Sequence, residues 1–71
     1  MSIVGENLGR ILAERQITRE RLAREVFGHN TGSYISAIIL GRKHPSDGAI
    51  ARIEEYLGVD PGTLKQKLRS S

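Results

Sequence analysis

One segment of the chain decides the fold: residues 18–46, TRERLAREVFGHNTGSYISAIILGRKHPS. Its apolar residues show the spacing of a helix with one buried face at two places. The first is Leu22, Ala23 and Val26, and the second is Ile35 and Ile38. Between the two patterns lies the run Gly28-His29-Asn30, in which glycine and asparagine both tolerate positive φ angles. The segment therefore predicts two short helices joined by a turn.

The same helical spacing continues on both sides of this segment. We predict five helices: Glu6–Arg15, Arg19–Val26, a third near Thr31–Leu40, Asp47–Leu57, and a fifth that starts at Asp60-Pro61 and includes Leu64 and Leu68. The residues expected to cap them are Thr18, either Asn30 or Thr31, and Ser46 at helix starts, with Gly41 and Gly58 at helix ends. No strand pattern or repeat interrupts the series, so we predict one all-α domain over residues 1–71.

The composition limits the class of protein. The 71 residues include no cysteine, which excludes disulfides and cysteine zinc sites and favours a reducing cytoplasm. His29 and His44 are too few for a metal site, and we expect no cofactor. No apolar run is long enough to span a bilayer, and residues 1–7 lack the features of a signal peptide. We therefore expect a soluble cytoplasmic protein without membrane contact.

The charges are unevenly distributed along the chain. The net charge is +3, and basic residues outnumber acidic ones between Thr18 and Ser46, whereas the reverse holds from Asp47 to Asp60. A basic face attracts phosphate backbones, which makes nucleic acid a candidate partner. Ordinary solvated helix charge is the alternative interpretation of the same pattern.

Several short motifs, taken in order, resemble the Cro and lambda-repressor-like helix-turn-helix family, also called XRE. The resembling stretches are Leu12–Arg15, Thr18–Glu25, Ser33–Ser36, Gly41–Ser46 and Tyr56–Val59. The resemblance covers nearly the whole chain. It implies a five-helix lambda-repressor-like domain, with the helix-turn-helix formed by helices 2 and 3, that binds double-stranded DNA in a sequence-specific manner.

The chain departs from the family pattern at two places. Gly28 and Ile35 both fall later after Ala23 than in the family, so the turn is predicted to be longer by two residues, with Phe27 and one of residues 29–32 as the additions. Ile39 and Leu40 stand where the family has polar residues. We expect these two side chains to cover Phe27 or to form part of a subunit contact.

A DNA-reading helix needs small or polar side chains on its outward face, close to its start. Helix 3 offers Thr31, Gly32, Ser33, Ser36 and Ala37 there. Serine can bond to several base edges and alanine can contact a thymine methyl, but none of these residues reads a base with two hydrogen bonds. Direct readout by helix 3 is therefore expected to be modest.

Phosphate contacts are expected from basic residues that flank this helix. Arg19 begins helix 2, where backbone amides also point outward, and Arg42 and Lys43 follow helix 3. Solvated surface charge is the alternative for all three. Tyr34 either donates its hydroxyl to a phosphate or packs against the protein.

Nothing in the sequence predicts an enzyme: it has no cysteine nucleophile, no glycine-rich phosphate loop and no serine–histidine–acid grouping. We expect no small-molecule ligand. The predicted function is a transcriptional repressor of phage repressor, Cro-like or controller type. It would block a promoter by occupying it, since the chain leaves no room for a sensing or activating domain.

Because so small a domain buries little surface, we also expect a homodimer on a two-fold operator with half-sites about 34 Å apart, joined through helix 5 and the residues around Ile39 and Leu40. A helical protein-interaction module without DNA binding is the alternative from another class.

Overall fold

The computed structural model describes residues 3–28 and 32–66. These ranges contain four α-helices and one 3₁₀ turn: α1 (Ile3–Arg15), α2 (Arg19–Phe27), α3 (Gly32–Ile39), α4 (Asp47–Leu57) and the 3₁₀ turn Thr63–Lys65. The predicted all-α class is confirmed for these residues, which include no strand. Within the same ranges, every helix is too short or too polar to cross a membrane.

The helix starts were well predicted where a side-chain cap was present. Thr18 Oγ1 accepts the backbone N–H of Arg21 at 3.0 Å, and Ser46 Oγ accepts that of Ala49 at 3.2 Å. As a result α2 and α4 begin where the sequence predicts. α1 begins at Ile3 instead of Glu6, because Val4 packs against the core and Gly5 is buried, so the earlier turn gains tertiary contacts.

One apolar core lies between the helices. Its buried side chains are Leu8, Ile11, Leu12, Leu22, Ala23, Ile35, Ile38, Ile50, Ile53, Leu57 and Leu64. The inward residues predicted for α2 and α3 are thereby confirmed, except that Val26 is only partly buried at the edge of the core. Burial of these side chains is the main favourable contribution to folding in a chain of this size.

α1 lies almost in backbone contact with the C-terminal end of α3. A methyl group added at Gly5 would collide with the carbonyl oxygen of Ile38 and lie 2.8 Å from that of Ile39. At Gly9 the added methyl would lie 3.1 Å from Ile39 Cγ2. Ile39 therefore packs against α1. The aromatic side chain that contacts Phe27 is Tyr34. The two glycines set the depth at which α3 is seated.

The predicted five-helix count is wrong for the described residues, because a fifth α-helix does not form after Pro61. Gly62 adopts a left-handed φ of 91°, which interrupts a helix, and only the 3₁₀ turn Thr63–Lys65 follows. The Thr63 hydroxyl donates to the carbonyl of Asp60 at 2.6 Å, which further favours the turn. Leu64 is fully buried, whereas Leu68 lies outside the described residues.

Two buried polar side chains hold this C-terminal segment in place of helical hydrogen bonds. Asn7 Nδ2 donates to the carbonyls of Leu64 at 2.7 Å and Gln66 at 2.8 Å. Glu54 Oε2 accepts the backbone N–H of Leu64 at 3.0 Å. We call Asn7, Glu54 and residues 63–66 the buried clamp. Its side chains satisfy backbone groups that a helix would have paired internally.

An exposed ion pair ties the same segment to the start of α4. Lys65 Nζ lies 2.9 Å from Asp47 Oδ1. The hydrogen bond from Lys65, and then its positive charge, hold the pKa of the Asp47 carboxyl below its ordinary value. Because both side chains are well exposed, this pair adds little to stability.

Candidate nucleic-acid interface

The outward side of α3 is the surface on which most of the predicted binding residues lie. Ile35 and Ile38 are fully buried on the inward side, so the helical repeat turns Ser33, Ser36 and Ala37 away from the core. Ser33 is exposed, and Ser36 and Ala37 are partly buried. α2 packs against α3, and its Leu22 and small Ala23 are both fully buried.

Arg19 and Ser36, one from each helix of the pair, are joined by a hydrogen bond. Arg19 Nη1 donates to Ser36 Oγ at 3.1 Å. Arg19 is the first residue of α2, directly after the Thr18 cap, and its side chain is exposed. The bond draws its guanidinium to the side of α3. The structure thus brings together two residues that the sequence assigned to different roles.

Tyr34 lies on the other flank of α3 and packs between two neighbours. Its ring meets Phe27 edge-on, with ring centroids 5.8 Å apart and an interplanar angle of 77°. Lys43 Nζ lies 5.8 Å from the Tyr34 ring centroid, within the range of a cation–π contact. The ring therefore packs, and a contact of its hydroxyl with phosphate stays a prediction.

The turn after α3 fixes the position of Arg42 and Lys43. Gly41 adopts a left-handed φ of 78°, and its N–H donates to Ile38 at 3.0 Å. The N–H groups of Arg42 and Lys43 donate to the carbonyl of Ala37 at 2.8 and 3.3 Å. This is the Schellman arrangement that closes many helices. Both basic side chains are exposed and follow α3 directly.

An acidic side chain lies beside the start of α3. A methyl group added at Gly32, the first residue of α3, would lie 3.1 Å from Glu20 Cγ. A carboxylate near a helix N-terminus is favourable because of the helix dipole. The sequence alone assigned Glu20 no role beside this helix. The predicted site residue Thr31, the alternative cap Asn30 and most of the longer turn lie outside the described residues.

Asn7 and Glu54 were also not predicted from the sequence. Glu54 falls four residues after Ile50 and three before Leu57, and Asn7 falls four before Ile11, so both interrupt an apolar row. A polar residue at a core position was the signal that could have identified them. They belong to the buried clamp and not to the α3 surface.

Comparison with known proteins gives one match. A family model described as helix-turn-helix matches residues 8–64, a range that includes α2, α3 and α4 and ends within the 3₁₀ turn. No curated protein and no solved structure is significantly similar to the chain.

Proposed function

The chain belongs to the Cro/C1-type helix-turn-helix (XRE) family of DNA-binding transcription regulators, and from that premise we propose that it is a repressor that recognises specific sites in double-stranded DNA. One observation carries the proposal. The outward side of α3 is flanked by cationic side chains on both edges, with Arg19 bonded to Ser36 on one edge and Lys43 over Tyr34 on the other.

In the proposed complex α3 enters the major groove with its N-terminal part toward the base edges. The proposed interface consists of Arg19, Thr31, Gly32, Ser33, Tyr34, Ser36, Ala37, Arg42 and Lys43. Ser33 and Ala37 face the bases, and Arg42 and Lys43 bind phosphate oxygens. The exposure of Ser33, Arg42 and Lys43 supports these roles.

Repression by promoter occlusion is the proposed mode of action, in the cytoplasm. It requires a surface that binds DNA and a stable core; the exposed basic residues beside α3 and the buried apolar core support it. We further propose a homodimer on a two-fold operator, with half-sites about 34 Å apart. Leu40 and Ile3 support it, since they remain 61% and 42% exposed although both are large apolar side chains.

The test of DNA binding is a gel shift against a random duplex and against duplexes selected from a random library, each at two salt concentrations. We expect affinity to fall steeply with salt, because each neutralised phosphate releases counterions. Arg42→Ala should weaken binding to all duplexes similarly and lower the salt slope by about one. Ser33→Ala should change the preference among selected sites.

Arg52→Ala is the matched control, because it removes the same charge from the exposed face of α4, outside the proposed interface. It should leave the affinity for every duplex and the salt slope close to those of the parent. If the parent chain binds no duplex at either salt concentration, the proposal is wrong and the protein-interaction alternative stands.

The dimer is tested separately, by sedimentation equilibrium of the parent chain with and without a selected duplex. We expect two chains per duplex. A single chain per duplex at high protein concentration, and a monomer without DNA, would overturn the dimer while leaving DNA binding intact.

A further inference from the structure

The outward side of α3 is poor in side chains that distinguish bases. Gly32 and Ala37 carry no polar group, and a serine hydroxyl accepts or donates to several different base edges. Strong discrimination in the major groove comes from side chains that bond to two groups of one base, above all arginine with the N7 and O6 of guanine. Strong discrimination between bases, beyond the modest contribution of Ser33, therefore calls for a reader from outside α3.

Arg19 is positioned to be that reader. Its hydrogen bond to Ser36 Oγ, 3.1 Å long, holds the guanidinium against the outward side of α3. A guanidinium has five N–H donors in a rigid plane, and the bond to Ser36 uses one of them. Donors therefore remain for the two acceptors that guanine presents side by side in the major groove.

The other flank already has groups suited to phosphate. Arg42 and Lys43 are exposed and held by the turn after α3, and their contacts to phosphate require no help from the outward face. A phosphate contact by Arg19 would likewise need no bond to Ser36. The bond between two side chains of different helices is what distinguishes Arg19 from the remaining basic residues of the surface.

We propose that Arg19 reads a guanine in the major groove and that Ser36 is its positioning residue. The inference rests on the proposed function, since it assumes that α3 enters the groove. The sequence alone suggested that Arg19 binds phosphate, whereas here it contacts a base edge. The sequence suggested that Ser36 contacts a base directly, whereas here it acts through Arg19.

The first experiment selects duplexes from a random library with the parent chain, Arg19→Ala, Arg19→Lys and Arg24→Ala. The parent should enrich guanine at one position of each half-site. Arg19→Ala should lose the preference at that position alone, and Arg19→Lys should not restore it, because lysine keeps the charge but lacks the planar fork. Arg24→Ala removes the same charge from an exposed position of the same helix and should keep the preference.

The second experiment uses one selected duplex in which that guanine is replaced by 7-deazaguanine, which lacks the N7 acceptor. Binding of the parent should weaken by about ten- to 150-fold, the range for losing one hydrogen bond to a charged group, because the O6 acceptor remains. Binding of Arg19→Ala should not change on the same replacement. A fluorescence-anisotropy titration measures both.

Ser36 is tested by whether it acts through Arg19. Ser36→Ala should reduce the effect of 7-deazaguanine, and Ser36→Thr, which keeps a hydroxyl, should restore it. In the Arg19→Ala background Ser36→Ala should have no further effect on base preference, because residues that act as one unit are not additive. Circular dichroism confirms that each variant remains helical.

Two results would overturn the inference, and they can be told apart. If Arg19→Ala weakens all duplexes equally, keeps every base preference and lowers the salt slope by about one, Arg19 binds phosphate and the proposed function survives. If the parent enriches no sequence at all, the proposed function fails and the inference fails with it.

Discussion

The two sides of α3 are built in different ways. On the inward side Ile35 and Ile38 are fully buried, and at Gly5 the backbone of α1 comes so close that no side chain fits. On the outward side the residues are small, exposed or partly buried, and Ser36 accepts a side-chain hydrogen bond from Arg19. The inward side determines where the helix lies, and the outward side can change with little effect on the fold.

Gly5→Ala should break the inward side and have the largest effect. The added methyl meets backbone oxygens of α3 that cannot move without shifting the helix, so we expect a loss of about 1–3 kcal/mol in the free energy of unfolding. Urea denaturation measures it.

Gly48→Ala is the control, because a methyl there meets nothing within 4 Å. In a helix it should leave stability unchanged or raise it by up to about 1 kcal/mol. Equal stability of Gly5→Ala and the parent would show that α1 does not fix the depth of α3.

Asn7→Ala should have the next largest effect. It separates the two contacts of α1, the one with α3 and the one with residues 63–66. It leaves the carbonyls of Leu64 and Gln66 without their donor but leaves the contact with α3 intact. We expect a loss of about 1–3 kcal/mol, with faster hydrogen exchange at the Leu64 amide. Base preference of the folded variant should not change.

Ser33→Ala is the contrasting variant on the outward side. Because Ser33 is exposed, the free energy of unfolding of this variant should stay within about 0.5 kcal/mol of that of the parent. A destabilisation similar to that of Asn7→Ala would mean that the outward side also determines the fold.

Lys65→Ala should have the smallest effect on stability, and this effect depends on pH. The Asp47 carboxyl has a lowered pKa in the folded chain, so its pairing with Lys65 favours folding above the ordinary pKa of 3.8. This contribution is lost as the pH falls through the lower pKa of the folded state. Without Lys65 the pKa of Asp47 should rise toward 3.8, as measured by NMR titration.

Lys43→Ala removes the same charge from the surface beside α3 and should leave the pKa of Asp47 lowered. An Asp47 titration that is identical in the parent and in Lys65→Ala would contradict the assigned cause.

The fold could be predicted where local chemistry decides it. Thr18 and Ser46 predicted the starts of α2 and α4, and apolar spacing predicted the buried residues of α2 and α3 except for the partly buried Val26. The fifth helix could not be excluded in this way, because Asp60 and Pro61 are favourable helix-starting residues. What overrides them is the left-handed Gly62 together with bonds to Asn7 and Glu54, which are distant in sequence.

The sequence could predict which residues lie on the candidate surface, but it could not predict the contacts between their side chains. Helical spacing alone places Ser33, Ser36 and Ala37 on one side of α3. It cannot show that the first residue of α2 reaches Ser36, since that depends on how the two helices pack. Similarly, the sequence predicted Lys43 as a phosphate contact or a solvated charge, and it could not show that the Lys43 ammonium lies over Tyr34.

The turn that closes α3 also has a thermodynamic consequence. Because the N–H groups of Arg42 and Lys43 already bond to Ala37, this backbone is ordered before any duplex arrives. Segments that fold on binding produce large negative heat-capacity changes and lose part of the interaction energy to ordering. Here association would order two side chains and leave the main chain unchanged. This part of the protein would therefore dock as a rigid body, at a small cost in conformational entropy.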